Sequence, residues 1–141
     1  MTLIADTGAL YALYDLDDGH HVSARNAIAE EPGPIVVPVL VLPELDYLLL
    51  ENLGIEAELS FLDSVSAGAF ALDCAALEDL PRIRDLIVQY RDLELGAVDA
   101  SVIATAERLG VDRIFTVDQR DFRAVRSASG RPFVLLPADR R

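Results

Sequence analysis

The chain has 141 residues, 52% of them hydrophobic, and a formal net charge of −12. Its mean hydropathy of +0.29 excludes an intrinsically disordered chain, which combines low hydrophobicity with high net charge. The length suits one domain that buries its own core. We therefore expect a single folded domain spanning residues 1–141.

The N-terminal segment differs from a secretory signal, because Asp6 stands where a basic and then an apolar region would be required. The most apolar stretch, residues 35–42, contains Pro38 and is far too short to span a bilayer. We expect a soluble, cytoplasmic protein. The lone Cys74 cannot form an internal disulfide, and its setting after a strand-like run predicts a buried, reduced thiol.

The basic residues are all Arg, and half of them lie in the last 23 positions of the chain. This basic C-terminal segment carries +4 and contains Arg120, Arg123, Arg126, Arg131, Arg140 and Arg141 beside Asp121 and Asp139. The overall negative charge argues against simple steering towards nucleic acid. Arg binds phosphate in a bidentate manner, however, so a basic end beside an acidic pocket suits a metal-dependent nucleic-acid enzyme. A solvated surface is the alternative interpretation.

Short apolar runs alternate with helical patterns along the chain, which predicts one α/β unit. Strands are expected at residues 3–5, 35–37, 69–72, 113–117 and 133–136. Helices are expected at residues 9–14, 20–30, from after Pro38 to about 52, 55–65, 76–90 and 98–109. In the helix at residues 20–30 we expect Val22, Ala24, Ala27 and Ile28 to face the core. His20 and His21 are expected as polar residues at its start, because adjacent His side chains diverge on a helix.

Two acids follow predicted strands directly. Asp6 ends the first strand and is followed by Thr7 and Gly8, and Asp118 ends the fourth strand. Ligands of open α/β sheets bind at the carboxyl edge of parallel strands. We therefore expect Asp6 and Asp118 to lie close together.

Asp99 begins a helix and has no residue to pair with at helical spacing. Its neighbours three and four positions away are Leu95, Gly96, Val102 and Ile103. A carboxylate on an apolar helix face is costly unless a cation or metal binds it. Glu44 makes the same case more weakly, since its helical neighbours are also apolar.

We expect Asp6, Glu44, Asp99 and Asp118 to meet in one cluster. Carboxylates in such a cluster repel one another, by roughly 4 kcal/mol for a pair about 4 Å apart at an effective dielectric near 20. Mg²⁺ or Mn²⁺ would relieve this repulsion, because both prefer carboxylate oxygens, water and phosphate. Such an ion activates water and stabilises charge on phosphorus, so the pattern favours phosphodiester hydrolysis. The alternative, that each acid is a helix cap or surface residue, stays open for Asp118 and Glu44.

Four segments of the sequence together resemble PIN-domain ribonucleases, and among them the VapC-type toxins of bacterial toxin–antitoxin pairs. These segments are residues 4–10 (IADTGAL), 43–45 (PEL), 99–104 (DASVIA) and 116–122 (TVDQRDF). The resemblance extends over nearly the whole chain. It implies a parallel central sheet flanked by helices on both faces.

The resemblance also implies the roles of individual residues. The catalytic acids would be Asp6, Glu44, Asp99 and Asp118. Asp6 and Asp99 would be the main Mg²⁺ ligands, with Mn²⁺ possible, while Asp118 would contribute directly or through water and Glu44 would orient a water. Thr7 and Thr116 would support the acids by hydrogen bonds. Pro43 departs from the small residue expected before Glu44, which affects the direction of that side chain.

The same resemblance implies partners: an RNA substrate such as tRNA or rRNA, a VapB-like antitoxin whose basic tail enters the acidic groove, and a second copy of the chain in a homodimer. Arg120 and Arg123 are candidates for contacting substrate phosphates, with salt bridges to acids such as Asp121 as the alternative.

Other functions compete with this one. A phosphoacceptor receiver module requires a Lys, and the chain has none; a haloacid-type hydrolase requires a second Asp at position 8, which is Gly. A housekeeping PIN nuclease of rRNA maturation would have the same acids. A PIN-like module that binds RNA or protein without cleavage is the remaining alternative.

Overall fold

A five-stranded, all-parallel sheet organises the protein. The computed structural model describes residues 2–140, and its strands are β1 (Leu3–Ala5), β2 (Ile35–Pro38), β3 (Ala71–Asp73), β4 (Arg113–Phe115) and β5 (Val134–Leu136). The strand order is β3-β2-β1-β4-β5. Ile4 of β1 pairs with Val36 on one side and with Ile114 on the other. The predicted α/β class with a parallel sheet is confirmed.

Seven α-helices connect the strands in the described part of the chain. They are α1 (Thr7–Tyr14), α2 (His21–Ala29), α3 (Val41–Leu53), α4 (Ile55–Ser66), α5 (Ala76–Gln89), α6 (Ala97–Leu109) and α7 (Gln119–Ala124). A single 3₁₀ turn, Arg91–Leu93, precedes α6. None of the helices in the described part is long and apolar enough to cross a membrane.

Right-handed crossovers assign the helices to the two faces of the sheet. The chain moves from β1 through β2 to β3 in one direction, so α1–α4 cover one face, and it then returns to β4 and β5, which places α5–α7 on the other. Helix α1 contacts α2 and α3, and α5 contacts α6, as this assignment requires. The expected helices on both faces are therefore present.

Helix α6 lies at the centre of its layer, in contact with β1, β2, β4 and α5. Every residue from 100 to 106 is buried, and small side chains such as Ala100 and Ala104 allow the helix to approach the sheet closely. Gly110 ends the helix with a φ of +67°, a left-handed conformation that favours glycine. The core therefore fixes the position of α6 and of Asp99 in its first turn.

The structure differs from the expected elements and burial in α2, at Cys74 and after β4. Val22 is 68% exposed, and the buried side of α2 is formed by His21, Ala24 and Ala27. Cys74 is exposed, because it follows β3 at the edge of the sheet, where one flank has no neighbouring strand. Helix α7 was not expected; it is only six residues long, too short for a periodic pattern. Arg141 of the basic C-terminal segment lies outside the described residues.

Candidate functional site

Asp6 lies where the order of the strands reverses. β1 and β4 are neighbours in the sheet although β2 and β3 lie between them in sequence, and open α/β sheets bind ligands in the crevice outside the carboxyl ends of the strands at such a point. The Asp6 backbone N–H donates to the Phe115 carbonyl at 2.9 Å, which holds the end of β1 against β4. The Asp6 side chain is buried at the base of this crevice.

Thr116 connects the acids that follow β1 and β4. Its hydroxyl donates to Asp6 Oδ2 at 2.9 Å and accepts from the Asp118 backbone N–H at 3.0 Å. Asp118 in turn caps α7, since its Oδ1 accepts from the Asp121 N–H at 3.3 Å. The two carboxylates expected at one edge of the sheet therefore lie next to each other. The buried Thr7 hydroxyl has no hydrogen-bond partner among residues 2–140.

Asp99 enters the same crevice from the first turn of α6. Burial, the largest cause, and the nearby charges of Asp6, Asp118, Asp121 and Glu44 together raise the pKa of Asp99 to about 7. The sequence predicts that no residue of its own helix pairs with Asp99, and the raised pKa agrees with this expectation.

The pKa of Asp6 is also raised, to about 6, and burial is the largest cause. The backbone N–H of Thr7 and the hydroxyl of Thr116 oppose this effect because they favour the charged form, whereas the charges of Asp118 and Glu44 add to it. Asp6 is therefore destabilised as a carboxylate in spite of its hydrogen bonds.

Glu44 belongs to the rim of the site. It lies in the first turn of α3, near enough to raise the pKa of both Asp6 and Asp99, but its side chain is exposed. The expectation that Glu44 lies on an apolar helix face was wrong. Leu45 and Leu49 of the same helix point into the core, and Glu44 lies outside that apolar face.

Asp121 is a fifth acid that the sequence did not identify. Oxygens of Asp99, Asp118 and Asp121 lie within 4.8 Å of one another, and Asp6 lies beside this group, held by Thr116. The spacing of Asp118 and Asp121, three residues apart at the start of a helix, could have indicated that both face the same side. Because α7 was not predicted from the sequence, Asp121 was not expected beside Asp118.

No residue of the described range 2–140 neutralises these five acids through an ion pair. The ion pairs involve other carboxylates, and Arg123 pairs with Asp139 rather than with Asp121. Arg120 is exposed beside Asp118 and forms no ion pair within the described range. Clustered oxygen donors without a countercharge fit a hard divalent cation, so the residues present suit such an ion.

Comparison with known proteins is consistent with this arrangement. A family model of the PIN domain matches residues 3–128. Ribonuclease VapC26 from Mycobacterium tuberculosis is 31% identical over 135 residues, covering 96% of this chain and all of the relative.

Two solved structures share the fold. The crystal structure of Mycobacterium tuberculosis VapC20, described as a toxin that cleaves the sarcin–ricin loop, superposes with a TM-score of 0.82 at 23% identity and covers 94% of this chain and 96% of VapC20. A toxin–antitoxin complex from Klebsiella pneumoniae gives a TM-score of 0.69 at 19% identity, covering 87% of this chain and 92% of its own. The chain therefore belongs to the PIN domain family.

Proposed function

We propose that the chain is a metal-dependent endoribonuclease and the toxin of a type II toxin–antitoxin pair. The observation that carries this proposal is the crevice in which acids from β1, α6 and the end of β4 meet without a cationic partner in residues 2–140. Its support from relatives is the ribonuclease name of VapC26 and the toxin description of VapC20.

The proposed cofactor is Mg²⁺, with Mn²⁺ as a substitute. Asp6 and Asp99 would be the main ligands, with Asp118 and Asp121 binding directly or through water; when bound, the ion supplies an activated water and stabilises charge on phosphorus. Asp6 is held in its orientation by the Thr116 hydroxyl. Glu44, exposed on the rim, is placed to orient a water or to accept a proton from it.

The proposed substrate is a structured cellular RNA, tRNA or rRNA, in the cytoplasm. Structured RNA is recognised mainly by shape and by unstacked bases in loops. Arg120 is exposed next to the crevice and is available to contact a phosphate. Cleavage of such an RNA would stop translation and growth.

The proposed protein partners are a VapB-like antitoxin with a basic tail and a second copy of the chain. A net charge of −12 favours association with a basic segment. The antitoxin gene is expected directly upstream of the toxin gene. Light scattering of the purified protein, alone and mixed with the product of that upstream gene, measures both assemblies. A protein that stays monomeric and does not bind the upstream product would contradict them.

Sequencing of RNA ends in cells that express the intact chain or its Asp99→Asn variant tests the activity. We expect growth arrest and one discrete new end in tRNA or rRNA with the intact chain, and neither with the variant. New ends without arrest would favour the housekeeping nuclease. No new ends from folded, metal-loaded protein would favour the non-cleaving module.

A further inference from the structure

A small cavity adjoins the acidic crevice on the side of β5. It has a volume of about 140 Å³ and lies between the start of α2, the end of β4 and the segment after β5. Thr116 lines it and also donates to Asp6, so one side chain separates the cavity from the acids. A group bound in the cavity would therefore lie next to these acids.

The wall of the cavity combines flat apolar surface with groups that form hydrogen bonds. Val117 and Pro137 supply the apolar part, and His20, Ser23 and Gln119 supply the polar part. The Ser23 hydroxyl donates to the His20 carbonyl at 3.1 Å, which leaves its oxygen free to accept a further hydrogen bond. The side-chain carbonyl of Gln119 accepts a long contact of 3.5 Å from Arg123, and its side-chain amide nitrogen donates no hydrogen bond within residues 2–140.

The two adjacent His residues have different roles. His21 is buried, and its Nδ1 lies 2.7 Å from the Ala12 carbonyl, which ties α2 to α1. His20 is exposed, and its backbone N–H donates to Asp18 Oδ1 at 2.7 Å, while its ring forms no hydrogen bond within residues 2–140. Its position at the cavity leaves the imidazole available to a ligand.

The size and chemistry of the cavity limit what it can hold. Pockets for drug-sized ligands measure roughly 300–1,000 Å³, so this one has room for a single planar ring system. Among residues 2–140, no Lys or Arg lines it, which argues against a phosphate as its ligand. Proteins recognise single-stranded RNA by stacking unpaired bases on rings such as His and by hydrogen bonds to the base edges.

We propose that this cavity is a nucleobase subsite that receives one unstacked base next to the cleaved phosphodiester. This assignment rests on the proposed ribonuclease function. It predicts that His20, Ser23 and Gln119 determine which base of the RNA is preferred next to the cleavage site. The base would lie against Pro137 and the imidazole, with Ser23 and Gln119 contacting its edge.

Binding of free nucleosides tests the subsite independently of cleavage. Adenosine, guanosine, cytidine and uridine are titrated into the intact chain, and NMR follows the His20 ring and the Gln119 side-chain amide. We expect one nucleoside to shift both signals saturably and more strongly than the other three. Ser23→Leu, which fills the cavity, and Gln119→Ala, at an exposed position, should each weaken binding by about tenfold.

The matched control is Ser129→Leu, placed in a larger cavity of about 430 Å³ near the end of α6, far from the acids. This variant should bind the same nucleoside unchanged. A melting temperature for each variant separates loss of binding from loss of fold.

The outcomes separate the two proposals. Cleavage of RNA without any nucleoside-induced shift at His20 and Gln119 would overturn the subsite and leave the nuclease standing. Binding that Ser23→Leu and Gln119→Ala leave unchanged would also overturn it. Nucleoside binding without cleavage of RNA by the intact chain would instead overturn the nuclease.

Discussion

The two ends of α6 contain charged residues in opposite situations. At its N-terminal end, Asp99 faces other acids, and its pKa is raised to about 7 by burial and by their charges. Near its C-terminal end, Glu107 binds Arg82, and Arg108 binds both Asp73 and Asp79. One rigid helix thus connects a repulsive cluster to a neutralised network.

The difference separates residues that stabilise the fold from the acids that we propose bind a metal ion. The Arg108 guanidinium donates to Asp79 at 2.9 and 3.1 Å and to Asp73 at 2.6 Å. These contacts bind α6 to α5 and to the end of β3. The Asp99 carboxylate makes no comparable contact within residues 2–140, and its environment opposes its charge. Natural proteins tolerate such strain mainly where function requires it.

The largest effect is expected from Asp99→Asn. Removal of this charge should lower RNA cleavage on the order of 100-fold or more, the usual effect of losing one preorganised electrostatic group. It should also weaken Mn²⁺ binding, measured by electron paramagnetic resonance, and leave the fold intact.

The matched control for Asp99→Asn is Asp79→Asn, at a residue of α5 that binds Arg108 near the C-terminal end of α6. It removes the same charge from the Arg108 network, yet cleavage per folded molecule should stay close to that of the intact chain. If Asp99→Asn and Asp79→Asn lowered cleavage equally, the acids at the N-terminal end of α6 would have no special role in catalysis.

The second effect is on stability. Arg108→Ala leaves Asp79, whose side chain is 8% exposed, and Asp73 without their cation. We expect the free energy of unfolding to fall by about 2–3 kcal/mol, somewhat less than the roughly 3–5 kcal/mol for breaking a fully buried pair. Urea unfolding measures this change. A loss below the effect of the exposed Arg84→Ala variant would mean that the network stabilises little.

The third prediction concerns pH in the absence of divalent metal. Unfolded Asp loses its proton near pH 4, whereas Asp6 and Asp99 have folded pKa values of about 6 and about 7. Between pH 4 and 7 the folded state therefore holds more protons, so its stability should fall as the pH rises, by about 2 kcal/mol from Asp6 alone. Urea unfolding at a series of pH values in EDTA checks this.

Other groups act in a different pH range. The guanidinium of Arg113 lowers the pKa of Glu31, and that of Arg123 lowers the pKa of Asp139. Their contribution is lost only as the pH falls below about 4, outside the window of Asp6 and Asp99. Asp6→Asn should flatten the decline between pH 4 and 7, and Mg²⁺ at pH 7 should reverse it. A stability that rises through this window without metal would contradict the assignment.

Much of the fold could be predicted because local signals and topology agree. β1 and β2 are short apolar runs, which predict buried strands. Helix α3 ends at Gly54, a clear stop signal. The positions of Asp6 and Asp118 after neighbouring strands followed from the general geometry of parallel sheets. Asp99 could be identified because nothing within a helical turn can pair with it.

The errors arose where tertiary packing decides. Glu44 has apolar neighbours in sequence, but the direction of α3 against the core determines which face is buried, and Glu44 is outside it. Val22 and His21 exchanged their expected roles because the Ala12 carbonyl accepts a buried imidazole. Asp121 depends on α7, which is too short to be recognised by its periodicity.

The smallest effect we predict is that of Thr116→Val. Near the N-terminal end of α6, the Thr116 hydroxyl holds the Asp6 carboxylate. Near the C-terminal end, the Arg108 guanidinium holds the Asp79 carboxylate instead. Valine has nearly the same shape but cannot donate to Asp6 or accept from the Asp118 N–H. Because this hydrogen bond favours the charged form, its loss should raise the pKa of Asp6 further and weaken metal affinity by about tenfold, as loss of a supporting hydrogen bond typically does. Thr116→Ser keeps the hydroxyl and should retain the affinity of the intact chain in Mn²⁺ titrations. If serine and valine weakened binding equally, the methyl group rather than the hydroxyl would be the feature of Thr116 that orders the site.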